Sequence, residues 1–205
     1  SEKIREEKPV RVIGDYDIDG VNATYILLEG LERLGADVDS DIPDRISDGY
    51  GLNRHLVERA YEAGVDTLIT CDNGIAAADE IAYGKEMGMT VIVTDHHEVP
   101  FDEHDGEKRY RIPPADAVMD PKQPDCLYPF KGLCGAAVAY KMMEALWERM
   151  GKDSADLDDL IENVAIATIG DVMDLEDENR IFVKEGLQML RRTKNPGLKA
   201  LIECT

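Results

Sequence analysis

Short apolar runs alternate with longer amphipathic segments along the first half of the chain. Runs of four to six apolar residues are typical of buried strands, and apolar residues that recur every three or four positions indicate helices. Predicted strands occupy residues 10–14, 36–42, 66–71 and 89–94, and predicted helices occupy residues 21–34, 53–63 and 76–87. Strands that alternate with helices of this length predict an α/β fold with a parallel sheet flanked by helices.

The pattern changes after residue 98. Residues 99–131 are rich in proline and charge, contain one short apolar run at 115–119, and are predicted to form a long connecting loop. Long loops are often functional. Predicted helices then occupy residues 136–150, 157–169, 179–192 and 196–203. We therefore expect a sheet core over 1–98, a connecting loop over 99–131 and a helical C-terminal extension over 132–205.

The composition is that of a globular protein. A length of 205 residues with 43% apolar content is sufficient for a buried core. No apolar run is long enough to cross a bilayer and the N-terminus has no leader pattern, so we expect a cytoplasmic protein that does not enter a membrane. The four cysteines form no Cys-x-x-Cys pair and show no zinc spacing, which predicts free thiols.

The net charge of −20 argues against a strong grip on nucleic acid, because phosphate binding normally shows as a basic patch. Cations bound to carboxylates would offset part of this charge. Much of the remaining acidity lies in stretches predicted to be exposed, such as 103–107 and 153–159. We therefore expect that this chain alone does not bind DNA tightly.

Four short acidic and histidine motifs lie near the ends of predicted elements. They are residues 14–20 (Gly-Asp-Tyr-Asp-Ile-Asp-Gly), 71–74 (Cys-Asp-Asn-Gly), 94–98 (Thr-Asp-His-His-Glu) and 170–174 (Gly-Asp-Val-Met-Asp). Ligands of an open parallel sheet bind beyond the carboxyl ends of its strands, so Asp15, Asp72 and Asp95 are expected to face one crevice. If residues 15–19 are extended, the period-two spacing places all three aspartates of that motif on one side.

Such a cluster predicts a divalent metal centre. Clustered carboxylates repel one another and are costly to keep together without cations. Oxygen ligands combined with the imidazole of His96 suit Mn²⁺ well, Mg²⁺ adequately and Zn²⁺ less. Asp171, at a predicted helix end, would add a further oxygen. Two ions about 3.5–4 Å apart activate water and stabilise the oxygens of a phosphoryl centre, which predicts metal-assisted phosphoester hydrolysis.

Each motif alone has a simpler interpretation. A single Asp-x-Asp is often a turn or a helix cap, and a His-His pair is often a surface or core feature. Four motifs at the ends of separate elements favour the metal site instead. His55 and His104 lie outside the motifs and are not expected to be ligands, and Asp174 is interpreted as a loop acid.

Together the motifs resemble those of the DHH phosphoesterase superfamily, in particular its RecJ-like exonuclease branch. The resemblance extends over nearly the whole chain in order. Further segments similar to that branch are residues 43–51, 120–121, 132–138 and 178–180. The resemblance implies a Rossmann-like DHH catalytic domain over 1–205 and a 5′-to-3′ exonuclease of single-stranded DNA in bacterial repair and recombination. It also implies a separate DHH-associated domain that closes the cleft, which we expect this chain to lack.

The resemblance also implies the roles of individual residues. The implied metal ligands, for two Mn²⁺ ions with Mg²⁺ as an alternative, are Asp17, Asp19, Asp72, His96 and Asp171, with Asp72 as the bridge and Asp15 as a further ligand or a close neighbour. The implied catalytic residues are Asp72, Asp95, His96 and His97, of which Asp95 and His97 would hold His96 and meet the phosphate. Arg45 and Arg180 are candidates for binding substrate phosphates, and the helix that opens at Gly135 is a candidate anion site. The simpler alternatives are a surface ion pair for each arginine and a plain turn at Gly135.

Two other functions remain open. Relatives that cleave small or cyclic dinucleotides carry a histidine four residues before the second aspartate of the first motif. Ile13 occupies that position here, which argues against a small-substrate phosphodiesterase. A non-catalytic DHH scaffold is expected to have lost metal ligands, whereas every motif aspartate and His96 is present.

Overall fold

The computed structural model describes residues 1–46 and 49–204. Its strands are β1 (Val10–Ile13), β2 (Val38–Asp41), β3 (Thr67–Cys71), β4 (Thr90–Thr94), β5 (Phe101–His104), β6 (Glu107–Tyr110) and β7 (Ala117–Met119). Its α-helices are α1 (Glu2–Arg5), α2 (Ile18–Glu32), α3 (Arg54–Glu62), α4 (Ala78–Glu86), α5 (Gly135–Arg149), α6 (Ile161–Gly170), α7 (Asp177–Leu190) and α8 (Pro196–Glu203), with a 3₁₀ helix over Ser154–Leu160.

Five strands form one parallel sheet in the order β2-β1-β3-β4-β7, which confirms the predicted fold class. The central strand β3 is buried along its whole length, as expected for a sheet covered on both faces. Its side chains alternate between two cores. Ile69 packs in the core with α2 and α5, whereas Leu68 packs in the core with α3 and α4.

The segment after β1 differs from the prediction. Residues 15–19 are not extended, because α2 begins at Ile18 and Asp17 is its N-cap. The Asp17 side chain accepts hydrogen bonds from the backbone N–H groups of Asp19 and Gly20, both at 2.9 Å. The period-two argument for the three aspartates was therefore wrong. The N-cap interpretation that applies to a single Asp-x-Asp is correct for Asp17, which is compatible with a ligand role for its second oxygen.

The predicted connecting loop contains regular structure. Strands β5 and β6 form an exposed antiparallel hairpin, and the apolar run at 115–119 contains β7, which pairs with β4. The main sheet therefore extends beyond residue 98. From Gly135 onward the described chain is helical apart from its connections, as predicted.

Two further expectations can be compared with the structure. All four cysteines are free thiols, as predicted, and Cys71 and Cys134 are buried. None of the helices in the described ranges is both long enough and apolar enough to cross a membrane.

Candidate metal centre

Three of the motif aspartates lie at the carboxyl ends of neighbouring parallel strands. Asp15 comes shortly after β1, Asp72 directly after β3 and Asp95 directly after β4. All three are buried, with 1% or less of each residue exposed. Asp72 has a left-handed backbone (φ 59°) and Gly74 has φ 110°, so the chain turns sharply as it leaves β3. This turn brings the carboxylate of Asp72 to the middle of the sheet edge.

One group of possible metal ligands surrounds the ring of His96. Ligand atoms of Asp19, His96 and Asp171 all lie within 4.8 Å of one another. The Nε2 atom of His96 lies 3.5 Å from Oδ2 of Asp19 and 3.8 Å from Oδ2 of Asp171. The same Nε2 atom is 3.1 Å from Oδ1 of Asp72. Three carboxylates from separate motifs therefore converge on one imidazole nitrogen.

Two further groups share Asp72. Asp15, Asp17 and Asp72 form one, and Asp72, His96 and His97 form the other. Because Asp72 also lies beside His96, it connects the aspartates of the first motif with the histidines of the third. The structure thus brings together all six predicted ligands: Asp15, Asp17, Asp19, Asp72, His96 and Asp171. Asp72 belongs to two of the three groups, and its predicted role as a bridge remains a prediction.

Several polar atoms of this cluster are buried without a hydrogen-bond partner among the described residues. They are both carboxylate oxygens of Asp15 and Nδ1 of His96. The same holds for Oδ1 of Asp72, which lies 3.1 Å from Nε2 of His96 but not in hydrogen-bond geometry. Buried polar atoms without partners are rare and costly in native proteins. Divalent cations would compensate carboxylate oxygens of this kind, so the residues present fit a metal centre.

The pKa values of the carboxyl groups support this interpretation. Burial raises the pKa of Asp15 and of Asp19 above the ordinary value. Burial, together with the nearby charges of Asp19 and Asp17, raises the pKa of Asp72 to about 10. A carboxylate in such surroundings is ionised only at a cost unless a cation is bound. The cluster is therefore matched to positively charged ligands.

Asp19 is held by the N-terminus of α5. The backbone N–H groups of Gly135 and Ala136 donate to its two oxygens at 2.6 and 2.7 Å. The anion at this helix N-terminus is therefore a side chain of the protein itself. The predicted role of Gly135 in binding a substrate anion is not supported by this geometry, because its N–H group is already used. Gly135 instead supports Asp19, and its lack of a side chain leaves room for Asp72.

Asp95 differs from the other motif aspartates. Its Oδ1 accepts from Nδ1 of His97 and from the backbone N–H of His96, both at 2.7 Å, and its Oδ2 accepts from the backbone N–H of Ile75 at 2.9 Å. Although burial opposes it, these bonds from His97 and the backbone lower the pKa of Asp95. Asp95 therefore orients His97 and the motif backbone and belongs to none of the three ligand groups. Asp95 thus contacts His96, as expected, but through the backbone N–H, and the ring that it contacts is that of His97.

His97 lies at the edge of the cluster. Its side chain is 46% exposed, and the hydrogen bond to Asp95 raises its pKa. Its Nε2 atom lies 3.3 Å from the hydroxyl of Tyr50, which also donates to the backbone carbonyl of Asp72. A partly exposed imidazole with a raised pKa is suited to meet a negatively charged substrate.

The two candidate phosphate-binding arginines are both exposed. The guanidinium of Arg45 lies 5.3 Å from the ring centroid of Tyr16, and neither Arg45 nor Arg180 forms an ion pair with another described residue. The ion-pair alternative is therefore not supported in the described ranges. His55, His104 and Asp174 lie outside the ligand groups found among the described residues.

Sequence reasoning did not single out three residues that support the site. Tyr50 contacts His97, Asn73 donates from its side chain to the carbonyls of Ile13 and Cys71, and Asn179 joins two loops described below. Each lies within or beside a segment of the family resemblance, which was the available signal. Each of them, however, also contacts a residue 47 or more positions away in the chain.

Comparisons with known proteins agree with this geometry. Residues 9–168 match the model of the DHH family, N-terminal domain. The single-stranded-DNA-specific exonuclease RecJ of Bacillus subtilis is 43% identical over 200 residues, which cover 98% of this chain and 24% of that protein. The same exonuclease from Thermus thermophilus is 39% identical, with 98% and 28% covered. The chain thus spans roughly a quarter of the length of these curated relatives.

Solved structures give the same picture. A crystal structure of exonuclease RecJ bound to manganese matches with a TM-score of 0.84 at 38% identity, covering 99% of this chain and 49% of that one. RecJ from Thermus thermophilus in complex with Mn²⁺ matches with a TM-score of 0.78 at 36% identity, covering 99% of this chain and 28% of that one. The similarity therefore includes fold and sequence over nearly the whole chain.

Proposed function

We propose that this chain, which belongs to the DHH family, is the metal-dependent catalytic domain of a RecJ-type exonuclease. Its activity would be the 5′-to-3′ hydrolysis of single-stranded DNA in the cytoplasm, and residues 1–205 would form one catalytic unit. The observation that carries this proposal is the convergence of six predicted ligand side chains on one sheet edge, with buried carboxylate oxygens that form no hydrogen bond of normal geometry with the described residues.

Two Mn²⁺ ions, with Mg²⁺ as the alternative, are the proposed cofactors. Asp15 and Asp17 would hold one ion, Asp19, His96 and Asp171 would hold the other, and Asp72 would contact both. When bound, such a pair supplies a hydroxide nucleophile and stabilises charge on the phosphoryl oxygens. Manganese fits this mixture of carboxylate and imidazole ligands, and relatives of this chain are known in manganese-bound form.

The residues around the cluster would position the substrate. Asp95 holds Nδ1 of His97, and the second ring nitrogen of His97 lies 3.3 Å from the hydroxyl of Tyr50. Because its pKa is raised, His97 is suited to donate a hydrogen bond or a proton to a phosphate oxygen. Arg45 and Arg180, both exposed and without an ion pair among the described residues, would bind flanking phosphates.

Most of the contacts that bind DNA would be made by residues outside this chain. With a net charge of −20, the chain has little electrostatic attraction for a polyanion. The curated relatives are much longer, and we propose that a DHH-associated domain supplies the remaining contacts. A small-substrate activity is disfavoured, because Ile13 is fully buried in the apolar core beneath the cluster and offers no ligand.

The test is an exonuclease assay with Mn²⁺ and a 5′-labelled single-stranded DNA oligonucleotide. We expect early release of labelled mononucleotide by the native chain and none by Asp72→Ala. Asp39→Ala is the matched control, because Asp39 is an exposed aspartate paired with Arg11 at the far edge strand. Cleavage of a dinucleotide but not of the oligonucleotide would instead establish the small-substrate activity. Failure to cleave either substrate at high enzyme concentration would contradict the proposal for this chain.

A further inference from the structure

Asn179 lies in the first turn of α7 and is fully buried. Its side-chain amide donates to two backbone carbonyls, Gly132 at 2.7 Å and Asp174 at 3.0 Å. The two acceptors are far apart in sequence, and each belongs to a connection between elements. A single amide group therefore joins the loop before α5 to the loop after α6.

Both loops lead directly to the proposed metal ligands. Gly132 lies three residues before Gly135, whose N–H group, with that of Ala136, holds the carboxylate of Asp19. Asp174 lies three residues after Asp171, the C-cap of α6. Asn179 thus contacts the two loops that lead to the backbone positions holding Asp19 and Asp171, two of the three side chains in the group that includes His96.

Other contacts show that these supports form one unit. The thiol of Cys134, the N-cap residue of α5, lies 3.5 Å from the hydroxyl of Thr168 in α6. The carbonyl of Thr168 accepts the N–H of Met173, which closes the turn after Asp171. The start of α5, the end of α6 and the start of α7 are therefore packed together behind the cluster.

The second atom of the same amide is not satisfied. The Oδ1 atom of Asn179 is buried and has no hydrogen-bond partner among the described residues. The donor end of the amide, however, makes two bonds that an apolar residue or a carboxylate cannot reproduce.

We propose that Asn179 is a positioning residue for the metal centre and sets the relative placement of Asp19 and Asp171. The inference rests on the proposed function, because it assumes that these two aspartates are ligands. It predicts an asymmetric effect, since the loops that Asn179 joins lead to Asp19 and Asp171, which belong to the group around His96, whereas Asp15 and Asp17 belong to another group. Removal of the amide would weaken one metal ion more than the other.

The test compares Asn179→Asp with Asn195→Asp. Both add one negative charge, but Asn195 caps α8 by accepting from Gly197 and Leu198, a role that aspartate performs equally well. We expect calorimetric and EPR titrations with Mn²⁺ to show one of two ions bound at least tenfold more weakly in Asn179→Asp, and native binding in Asn195→Asp. If folded Asn179→Asp bound both Mn²⁺ ions with the affinities of the native chain, the inference would be overturned.

A second variant and a measurement without metal keep the inference testable if Asn179→Asp does not fold. Asn179→Ser keeps a single donor and is the variant to use if Asn179→Asp does not fold. In EDTA we expect the amides of Gly135 and Ala136 to exchange with solvent at least tenfold faster in Asn179→Ser than in the native chain. Unchanged exchange would overturn the inference even if the metals bind, whereas a native chain that binds no Mn²⁺ would refute the proposed function instead.

Discussion

Replacement of Gly135 by alanine is expected to damage the metal centre directly. A Cβ atom built at this position would lie 2.6 Å from Cβ and 2.9 Å from Cγ of Asp72. Carbon atoms in contact are normally about 3.5–4.0 Å apart, so one of the two residues must move by roughly 1 Å. Gly135 is held in place by the hydrogen bond from its N–H group to Asp19, at 2.6 Å. We therefore expect Asp72 to be displaced.

The magnitude follows from this displacement. Overpacking of a buried contact costs about 1–3 kcal/mol, and each 1 kcal/mol lowers Tm by about 2–4 °C in a chain of this size. A shift of about 1 Å in a catalytic group can reduce the rate by about 10²-fold. Gly135→Ala should therefore remain folded with a moderately lower Tm, bind Mn²⁺ much more weakly and lose about 99% of its exonuclease activity.

The assay measures Tm, Mn²⁺ affinity and exonuclease rate in parallel with Gly30→Ala. A Cβ atom at Gly30 would lie 2.6 Å from the sulfur of Met143, so this substitution also overpacks a contact of α5, but at the end of α2 remote from Asp19. The methionine side chain is flexible, and we expect Gly30→Ala to lower Tm without changing Mn²⁺ affinity. Native Mn²⁺ affinity and activity in Gly135→Ala would refute the reasoning.

Three further predictions concern stability. With its pKa raised to about 10, Asp72 must take up a proton when the metal-free protein folds at neutral pH, and Asp72→Asn removes both that cost and a proposed metal ligand. The variant should therefore have a higher Tm without metal and lose most of the Tm increase that Mn²⁺ produces, which is worth about 2.7 kcal/mol per ion at 100 times Kd. A native Mn²⁺ response in a thermal-shift assay would contradict this. The second prediction concerns pH without metal, in EDTA. Because the pKa of Asp72 is raised to about 10 in the folded state, the folded chain binds more protons than the unfolded chain above about pH 4, and its stability should fall as pH rises towards 10. Urea titrations that show no pH dependence of the unfolding free energy in this window would disprove the prediction. Val172 has a left-handed backbone (φ 57°) and is 87% exposed. Asparagine adopts this conformation more readily than valine, so Val172→Asn should relieve backbone strain and increase the free energy of unfolding by about 1 kcal/mol. An unchanged or lower Tm would contradict this prediction.

The sheet could be predicted because its strands are short, apolar and separated by clear helical patterns. Strand β7 was recognised only as an apolar run, since three residues carry too little periodicity to be assigned to a sheet. The start of α2 was placed too late, because the acidic residues at 17 and 19 resemble a turn as much as a first helical turn. Local pattern alone does not decide between the two.

The membership of the site could be predicted better than its internal arrangement. Motif positions at strand ends indicated that the aspartates and His96 meet, but not that Asp95 turns away from the ligand groups to hold His97. Gly135 donates to Asp19, and Asn179 donates to Gly132; in each pair the two residues are more than 40 positions apart. Such contacts depend on tertiary packing, which leaves no periodic signal in the sequence.

Anomalous diffraction from crystals of the native chain grown with Mn²⁺ is the most direct test of the proposed metal centre. We predict two manganese peaks, one contacting Asp15 and Asp17, the other contacting Asp19, His96 and Asp171, and both contacting Asp72. The absence of peaks at these side chains, or a single ion that does not contact Asp72, would contradict the central claim.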